Sequence, residues 1–468
     1  MLVILAAVTI NAAFNSGIID TAVNGAVNYA DAQNKEQITF DDLDKNIQDI
    51  VNKIEDYNIG GNNPEPTEPK ANAPAYEGTG LIPVYHNGST WVDLTSNSTE
   101  EEWNNWYSYD TTNKKWANAR TVDGSMWVWI PRYEYKIDSS AKTIAVNFIE
   151  GTSTEATSGY TLHPAFSTDL NNGGWDKDIP GFWVAKYAAG FQNATAGEAD
   201  KTVENSGLKY TTQSYTANYL QSNLAVGSDI TLPVFKANTY AYNCISAGDS
   251  YLLAQKIGTA SMYGLRNVDS HLQKNSEWGA VAYLTHSKYG LNGAEVTINS
   301  KNLNNTIDTK GTSGTKGNVY AVTSYGDNDT ANDINASSTH NMSGVFDLSG
   351  CVFERTAGFC KGGNANALAW YSAMATSATS ASTKYVTIYE SSYEANNKIG
   401  DAVKETSTSG SGSNSWNGDY SNFVDTSAPV FERGGYCRHG SSAGIFAYTW
   451  GGGNPRDSQG FRAVLIPN

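Results

Sequence analysis

The sequence predicts a loop-rich α+β protein, and its composition indicates this class in three ways. Hydrophobic residues make up 40% of the 468 residues, so the chain can bury a sizeable core, whereas charged residues reach only 17%. The chain contains 44 glycines, and aromatic residues account for 12% of it. Glycines are typical of turns, and aromatic side chains on turns offer rigid contact surfaces. We therefore expect short strands joined by many turns, with few helices.

The net charge excludes one class of partner. Acidic residues number 47 and basic residues 31, which gives a formal net charge of -16. Such a molecule repels phosphate backbones and anionic lipid over most of its surface. We therefore expect no nucleic-acid partner.

The chain has four cysteines, namely Cys244, Cys351, Cys360 and Cys437. They show no CxxC or Cys/His spacing, so a zinc site is disfavoured and we expect no cofactor, with a structural calcium ion left open. If the protein is exported, one or two disulfides could form, but the sequence does not pair the cysteines.

Residues 1–58 predict a hydrophobic N-terminal helix followed by a helical stalk. The run Leu2–Phe14 is apolar but shorter than the roughly 20 residues that span a bilayer, and no basic region precedes it. From Thr39, apolar residues recur at spacings of three and four, the pattern of one helix face: Phe40, Leu43, Ile47, Ile50, Val51 and Ile54.

The N-terminal run also carries a resemblance. Leu5-Ala-Ala-Val-Thr-Ile-Asn11, followed by Gly17-Ile-Ile19, resembles the hydrophobic helix of type IV pilin-like proteins of Gram-positive bacteria. The resemblance implies a position in a pilus or membrane, contact with pilin subunits, and a basic leader upstream of Met1. A buried helix or a signal-type helix is the alternative interpretation.

A linker and a small extension are expected before the main domain. Residues 59–79 include Gly60-Gly-Asn-Asn-Pro-Glu-Pro-Thr-Glu-Pro69, which cannot bury a core and stiffens toward polyproline II. In residues 80–124, tryptophans stand among turn-forming residues. This pattern predicts either a small Trp-rich β element or an N-terminal extension that packs on the main domain. The main domain then covers residues 125–468, where only Ala247–Ile257 and Ser276–Tyr283 are predicted to be helical.

Several segments of residues 125–468 carry a second resemblance, and they occur in this order: Met126–Pro131, Ile179–Tyr187, Asn243–Asp249 with Leu272–Ala282, Gly344–Glu354, and Arg433-Gly-Gly435 with Gly460-Phe-Arg462. Together they resemble the formylglycine-generating-enzyme domain, a member of the C-type-lectin-like fold. The chain departs from the family pattern at Ala188, where an acidic residue is expected. It departs again at Cys351, where an asparagine at a metal site is expected, and this puts a calcium site there in doubt.

The same comparison separates a binding protein from an enzyme. In the family's enzymes, two nearby cysteines after Arg-Gly-Gly activate oxygen, whereas here Cys437 is followed five residues later by Ser442. His286, His340 and His439 lie far apart in sequence, and no nucleophile motif accompanies them. Asp327 and Asp329 are better explained as solvated acids of a loop, or as part of a calcium-type loop, than as catalytic acids or bases. We therefore expect no enzymatic activity.

The segment 433–462 resembles the variable region of proteins diversified by retroelements. Its frame consists of Arg433-Gly-Gly435, Gly440, Ala443-Gly-Ile-Phe446 and Gly460-Phe-Arg462, and we expect Arg433 and Arg462 each to hold a carboxylate bidentately unless both are solvated. Cys437 and the candidate ligand-binding residues stand between the frame positions: Tyr436, Arg438, His439, Ser441, Ser442, Tyr448, Trp450, Gly452, Asn454, Arg456 and Asp457.

The residue types at these positions fit adenine-directed mutagenesis of asparagine codons. Such codons can become Tyr, Cys, Arg, His, Ser, Gly, Asn or Asp, whereas Trp450 and Gln459 cannot arise in this way. Tyrosine, tryptophan and arginine dominate binding hot spots, so Tyr436, Arg438, His439, Tyr448, Trp450 and Arg456 are the expected anchors. An ordinary loop rich in Gly, Ser and Tyr is the alternative.

These observations predict a bacterial surface protein that displays a diversified, adhesin-like face. Its expected partner is a protein or glycan on another cell, a host or a phage. Two alternatives stay open. One is a formylglycine-generating-type oxidase that uses Cys437 with Cys351 or Cys360, and the other is a phage receptor-binding protein.

Overall fold

The computed structural model describes residues 70–195, 232–243, 245–300, 334–378, 380–456 and 458–468. Sheet dominates this part of the chain and helices are few, so the fold is α+β, as the composition predicts. The expected N-terminal helix and stalk, most of the linker, Cys244, Asp327, Asp329 and Asp457 lie outside the described residues. Within the described ranges, no helix is long and apolar enough to cross a membrane.

The strands follow in chain order: β1 Ile82–His86, β2 Trp91–Asp93, β3 Asn118–Arg120, β4 Met126–Pro131, β5 Tyr133–Asp138, β6 Thr143–Phe148, β7 Thr161–Leu162, β8 Gly181–Ala185, β9 Gly190–Thr195, β10 Thr239–Ala241, β11 Val268–Leu272, β12 Phe353–Cys360, β13 Thr387–Tyr389, β14 Val430–Arg433, β15 Tyr448–Gly451, β16 Gln459–Phe461 and β17 Ala463–Pro467. The helices are α1 Glu100–Asn104, α2 Ala247–Lys256, α3 Asn275–His286 and α4 Ala365–Ser377.

A seven-stranded antiparallel sheet forms the centre, in the order β11-β17-β8-β4-β3-β1-β2. All residues of β4 and β8 are buried, which agrees with their continuous apolar and aromatic sequences. Two of the segments that carry the family resemblance, Met126–Pro131 and Ile179–Tyr187, therefore contain buried strands of the central sheet. The closing strand β17 pairs with both β11 and β8, so the C-terminus is fixed inside the sheet.

A second sheet carries the segment 433–462. Its order is β13-β12-β14-β15, and β16 pairs with β12 as well. The register joins Glu354 to Arg433 and Arg355 to Glu432, while β15 lies opposite β14 with Trp450 facing Phe431. Strand β14 ends at Arg433, where the segment begins, and β15 and β16 lie within the segment. Both ends of the segment are therefore built into one sheet.

The two predicted helices are confirmed as α2 and α3, although α3 extends one residue before and three residues after Ser276–Tyr283. Ser246 begins α2 by accepting the backbone N–H of Asp249, and every residue of α3 is buried. Helices α1 and α4 were not predicted. The alanine-rich sequence of α4 shows little helical periodicity, and its cap, Asn364, accepts the N–H of Ala367.

The strands of residues 80–124 belong to the central sheet. Strand β3 pairs with β4, which agrees with the alternative of an extension packed on the main domain. The end of the predicted linker also packs on this sheet. The Asn72 side chain donates to the Ile149 and Pro180 carbonyl oxygens at 2.9 Å, and the Trp183 indole donates to the Ala75 carbonyl oxygen at 2.7 Å.

The core is rich in aromatic side chains, and His163 lies among them. Its ring centroid is 5.1 Å from that of Tyr133, 5.3 Å from Tyr135 and 5.6 Å from Tyr283, and the side chain is fully buried. Burial lowers the pKa of His163 to about 3. The imidazole is therefore neutral in the folded protein.

This buried histidine predicts acid destabilisation. The unfolded chain protonates His163 near pH 6.5, whereas the folded chain does so only near pH 3, so stability falls as pH decreases through that window. Between pH 6.5 and 5 the loss from this residue amounts to about 2 kcal/mol. In urea unfolding at pH 6.5 and at pH 5, the free energy of unfolding should fall less for His163→Gln than for the native chain. Equal losses in both proteins would contradict this account.

Candidate ligand-binding site

The C-terminal end of the segment is held by a buried ion pair. The Arg462 guanidinium contacts both carboxylate oxygens of Glu354, with Nε–Oε2 at 2.8 Å and Nη2–Oε1 at 2.5 Å. Arg462 also donates to the Ala185 carbonyl oxygen at 2.6 Å and to that of Phe346 at 2.8 Å. The bidentate contact expected for Arg462 is confirmed, and Glu354 is its partner.

Arg433 is held differently from what we expected. Its Nη2 donates to the Ala402 carbonyl oxygen at 3.0 Å, and its guanidinium lies 5.5 Å from the ring of Trp278 and 5.7 Å from that of Tyr448. Burial lowers its pKa to about 10, although the charge of Asp401 favours the cation. The expectation of a bidentate carboxylate was therefore wrong for Arg433, because aromatic faces and a backbone oxygen surround this cation instead.

A third arginine, which lies outside the segment, contacts the segment near its C-terminal end. Arg355 is fully buried on β12 and donates to the Ile245 carbonyl oxygen, the Asn454 carbonyl oxygen and the Gln459 side-chain oxygen. Its Nε lies 3.8 Å from Glu432 Oε1. Sequence reasoning missed Arg355, although a Glu-Arg pair inside a strand of buried residues was a usable signal.

The contacts that hold the segment reach its backbone. The Tyr420 N–H donates to the Ser442 carbonyl oxygen at 3.0 Å, and the Ala247 N–H donates to that of Gly453 at 2.9 Å. The Trp278 indole donates to the Ile445 carbonyl oxygen at 2.8 Å. Asn454 is likewise held by its carbonyl oxygen. These bonds do not depend on which side chain each segment position carries.

Most predicted contact residues reach the surface. Exposed are Ser441, Trp450 and Arg456, while partly exposed are Tyr436, Arg438, His439, Ser442, Gly452 and Asn454. Trp450 is 40% exposed, which is unusual for a residue of its size. Asp457 lies outside the described residues.

Tyr448 is an exception and corrects the expectation that it contacts a ligand. Only 1% of it is exposed, and its hydroxyl lies 3.0 Å from Ser407 Oγ and donates to the Ser409 carbonyl oxygen at 3.2 Å. Burial raises its pKa, because the ionised phenolate would be poorly solvated. Tyr448 therefore packs the sheet under the chain of residues 407–409.

Two of the predicted contact residues, Tyr436 and His439, form an aromatic patch with two residues outside the segment 433–462. This patch consists of Tyr436, His439, Phe353 and Tyr420, and all four side chains are partly exposed. The ring of His439 lies 5.0 Å from Phe353, 5.3 Å from Tyr420 and 5.4 Å from Tyr436. Burial lowers the pKa of His439 to about 4, so its ring is neutral at pH 7.

The strand register divides the predicted residues between two faces of the second sheet. Because paired residues share a face and neighbours alternate, Trp450 lies on the face of Phe431 and Arg433. Phe353, Arg355 and Glu432 lie on the other face, and the charge of Arg456 acts on Glu432 there. The aromatic patch therefore lies on one face, whereas Trp450 belongs to the other.

The glycines of the segment differ in the space around them. A Cβ at the frame residue Gly444 would lie 2.0 Å from Asp419 Oδ2, and one at Gly435 would lie 2.6 Å from the Ala443 Cβ with φ at +78°. A Cβ at Gly452, a predicted exchangeable position, would meet only Asn454 Oδ1 at 3.3 Å and needs no positive φ. Gly452 therefore has room for a side chain that Gly435 and Gly444 lack.

The cysteines named by the oxidase alternative do not reach the surface. Cys351 and Cys437 share one buried cluster, and the Cys437 N–H donates to the Cys351 carbonyl oxygen at 2.9 Å. Burial raises the pKa of Cys351 well above its usual range, which disfavours the reactive thiolate. Cys360 lies in a different cluster. Cys437 is 2% exposed, so it does not belong to the exposed set.

The three histidines considered as catalysts each contact different groups. His286 Nε2 lies 2.8 Å from the Lys142 carbonyl oxygen, and His340 Nε2 lies 3.2 Å from that of Glu295. His439 belongs to the aromatic patch. In the described part of the chain, no group of three or more His, Cys, Asp or Glu side chains is placed to hold a metal ion.

The chain matches no protein-family model and no curated protein at a significant level of similarity.

Proposed function

We propose that this protein binds ligands at a cell surface, as an adhesin does, through a C-terminal face that a retroelement diversifies. The domain that carries this face is proposed to be C-type-lectin-like, of the formylglycine-generating-enzyme type, and not an enzyme. One observation carries the proposal. Residues outside the proposed contact set hold the segment 433–462 through its backbone, while three of the proposed contact residues are exposed and six more are partly exposed.

The placement of the frame residues supports the same proposal. Gly435 and Gly444 lack space for a Cβ, and Arg462 is buried in its ion pair with Glu354. These are positions where a substitution would cost stability. Substitutions at exposed positions such as Ser441 and Arg456 typically change the unfolding free energy by less than about 0.5 kcal/mol.

The chemistry of the face fits recognition. The aromatic patch offers amphipathic rings that lose little conformational entropy on binding, and Arg438 and Arg456 supply guanidinium donors nearby in sequence. The proposed partners are proteins or glycans on another cell, a host or a phage. The proposed location is the bacterial surface or a pilus, through the N-terminal hydrophobic run and with pilin subunits as neighbours.

The oxidase alternative has one observation in its favour, namely the contact between Cys351 and Cys437 in a single cluster. Their burial and the raised pKa of Cys351 work against it, because oxygen activation by such a pair requires an accessible thiolate. A copper-dependent turnover assay on a cysteine-containing peptide, with Cys437→Ala as control, separates the two functions.

Binding should depend on the exposed side chains and not on fold stability. On glycan and protein arrays, the triple variant Tyr436→Ser, His439→Ser, Arg456→Ser should lose any ligand bound by the native chain, by about tenfold or more. Thermal unfolding checks that the variant folds, because Tyr436 and His439 are partly buried. The control Val122→Ser changes a side chain that is 63% exposed outside the segment and should keep binding. Retained binding in the triple variant, or a loss shared by the control, would count against the proposal.

Diversification should also leave a trace in the genome. A template copy of the segment 433–462 should lie near the gene, beside a reverse transcriptase gene, and should differ from the segment almost only at adenines. Sequencing the region around the gene checks this. No copy, or a copy with differences at all four bases, would remove diversification while leaving ligand binding untouched.

A further inference from the structure

A groove between α2 and α4 has a volume of about 430 Å³, within the range of small-ligand sites. The helices approach closely at Gly248, where a Cβ would lie 3.1 Å from the Trp370 carbonyl oxygen. Tyr251 forms part of the floor, and its hydroxyl donates to Ser377 Oγ at 2.7 Å. None of these residues belongs to the segment 433–462.

The walls combine aromatic and apolar surface with uncharged polar groups. Trp370 and Leu252, both partly exposed, line the groove, and Gln255 and Thr376 add amide and hydroxyl groups. Among the described residues that line the groove there is no lysine, arginine or histidine. An anionic ligand would therefore find no counter-charge there.

The one carboxylate in the groove does not favour a cation. Asp249 accepts the hydroxyl of Ser246 at 2.6 Å, and burial raises its pKa, so its charged form is disfavoured relative to a solvated carboxylate. A purely apolar ligand is also disfavoured, because it would displace water from Gln255 and Thr376 without offering hydrogen bonds in return. The Thr376 hydroxyl donates to the Ser372 carbonyl oxygen at 2.8 Å, and its oxygen can still accept a hydrogen bond. The groove lies between two helices and presents no strand edge, so an extended peptide would gain no backbone pairing.

We infer that this groove binds a neutral saccharide, with one C–H face of a sugar ring on the Trp370 indole and its hydroxyls on Asp249, Gln255 and Thr376. A sugar ring combines these two kinds of surface without net charge, as the walls do.

The groove adjoins the diversified segment without depending on it. A Cβ at Gly453 would lie 3.3 Å from the Trp370 Cβ and 3.4 Å from that of Ala247. The groove side chains all lie outside 433–462, so every diversified copy would share the same saccharide site. This inference therefore stands or falls separately from the proposed function.

Saturation-transfer NMR on the full chain tests the inference, with maltose, lactose and N,N'-diacetylchitobiose as probes. Ring protons of at least one of these saccharides should receive saturation. Trp370→Ala removes the indole, and Ser372→Tyr adds a ring from an exposed position that lines the groove. Each variant should weaken binding about tenfold or more.

Leu368→Ala is the matched control. Leu368 lies on the same helix and is 40% exposed, but it does not line the groove, so its replacement should leave saccharide binding unchanged. Thermal unfolding checks that each variant folds. If Trp370→Ala does not fold, the result for Ser372→Tyr alone decides the test. The absence of saturation for all three saccharides overturns the inference. So does binding that persists in a folded groove variant, or an equal loss in Leu368→Ala.

Discussion

The buried pair of Arg462 and Glu354 is the interaction on which the C-terminal architecture depends. Arg462 stands between β16, in the second sheet, and β17, in the central sheet, and it also donates to the end of β8. One guanidinium therefore joins two sheets and closes the segment 433–462. Removing either partner would leave a buried charge without its counter-ion, which typically costs about 3–5 kcal/mol. The position of the proposed binding face therefore depends on the ion pair between Arg462 and Glu354.

Many of the contacts that hold the segment reach its backbone rather than its exposed side chains. Arg355, Trp278 and the backbone N–H groups of Tyr420 and Ala247 all donate to carbonyl oxygens within the segment. A carbonyl oxygen is present whatever the side chain, so these bonds do not require particular side chains at the exposed positions. Phe353 and Tyr420, which lie outside the segment, complete the aromatic patch.

Local pattern was sufficient to predict much of the fold. Helices α2 and α3 were predicted, and β4 and β8 lie in two of the segments that carry the family resemblance. Helix α4 was not predicted, because alanine-rich sequence without an apolar stripe carries little signal. The sequence left open whether the Trp-rich strands before residue 125 form a separate element or pack on the main domain, because it does not show that β3 pairs with β4.

The candidate site was predictable in part. The frame and most exposed positions could be named from their order in the chain. The burial of Tyr448 could not, because it depends on residues 407–409, which lie far away in sequence. The same is true of Phe353 and Tyr420 in the aromatic patch. Strand pairing also places Trp450 on the face of the second sheet opposite to Phe353, and so away from the aromatic patch.

The central claim is that the segment keeps one backbone path while its exposed side chains are exchangeable. Saturation mutagenesis of residues 433–462, with the full chain displayed on cells and sorted for protease resistance, tests this most directly. The account predicts that Ser441, Gly452, Asn454 and Arg456 accept most residue types, whereas Gly435, Gly444, Tyr448 and Arg462 accept few. Equal tolerance across the two groups, or greater tolerance at the second, would contradict it.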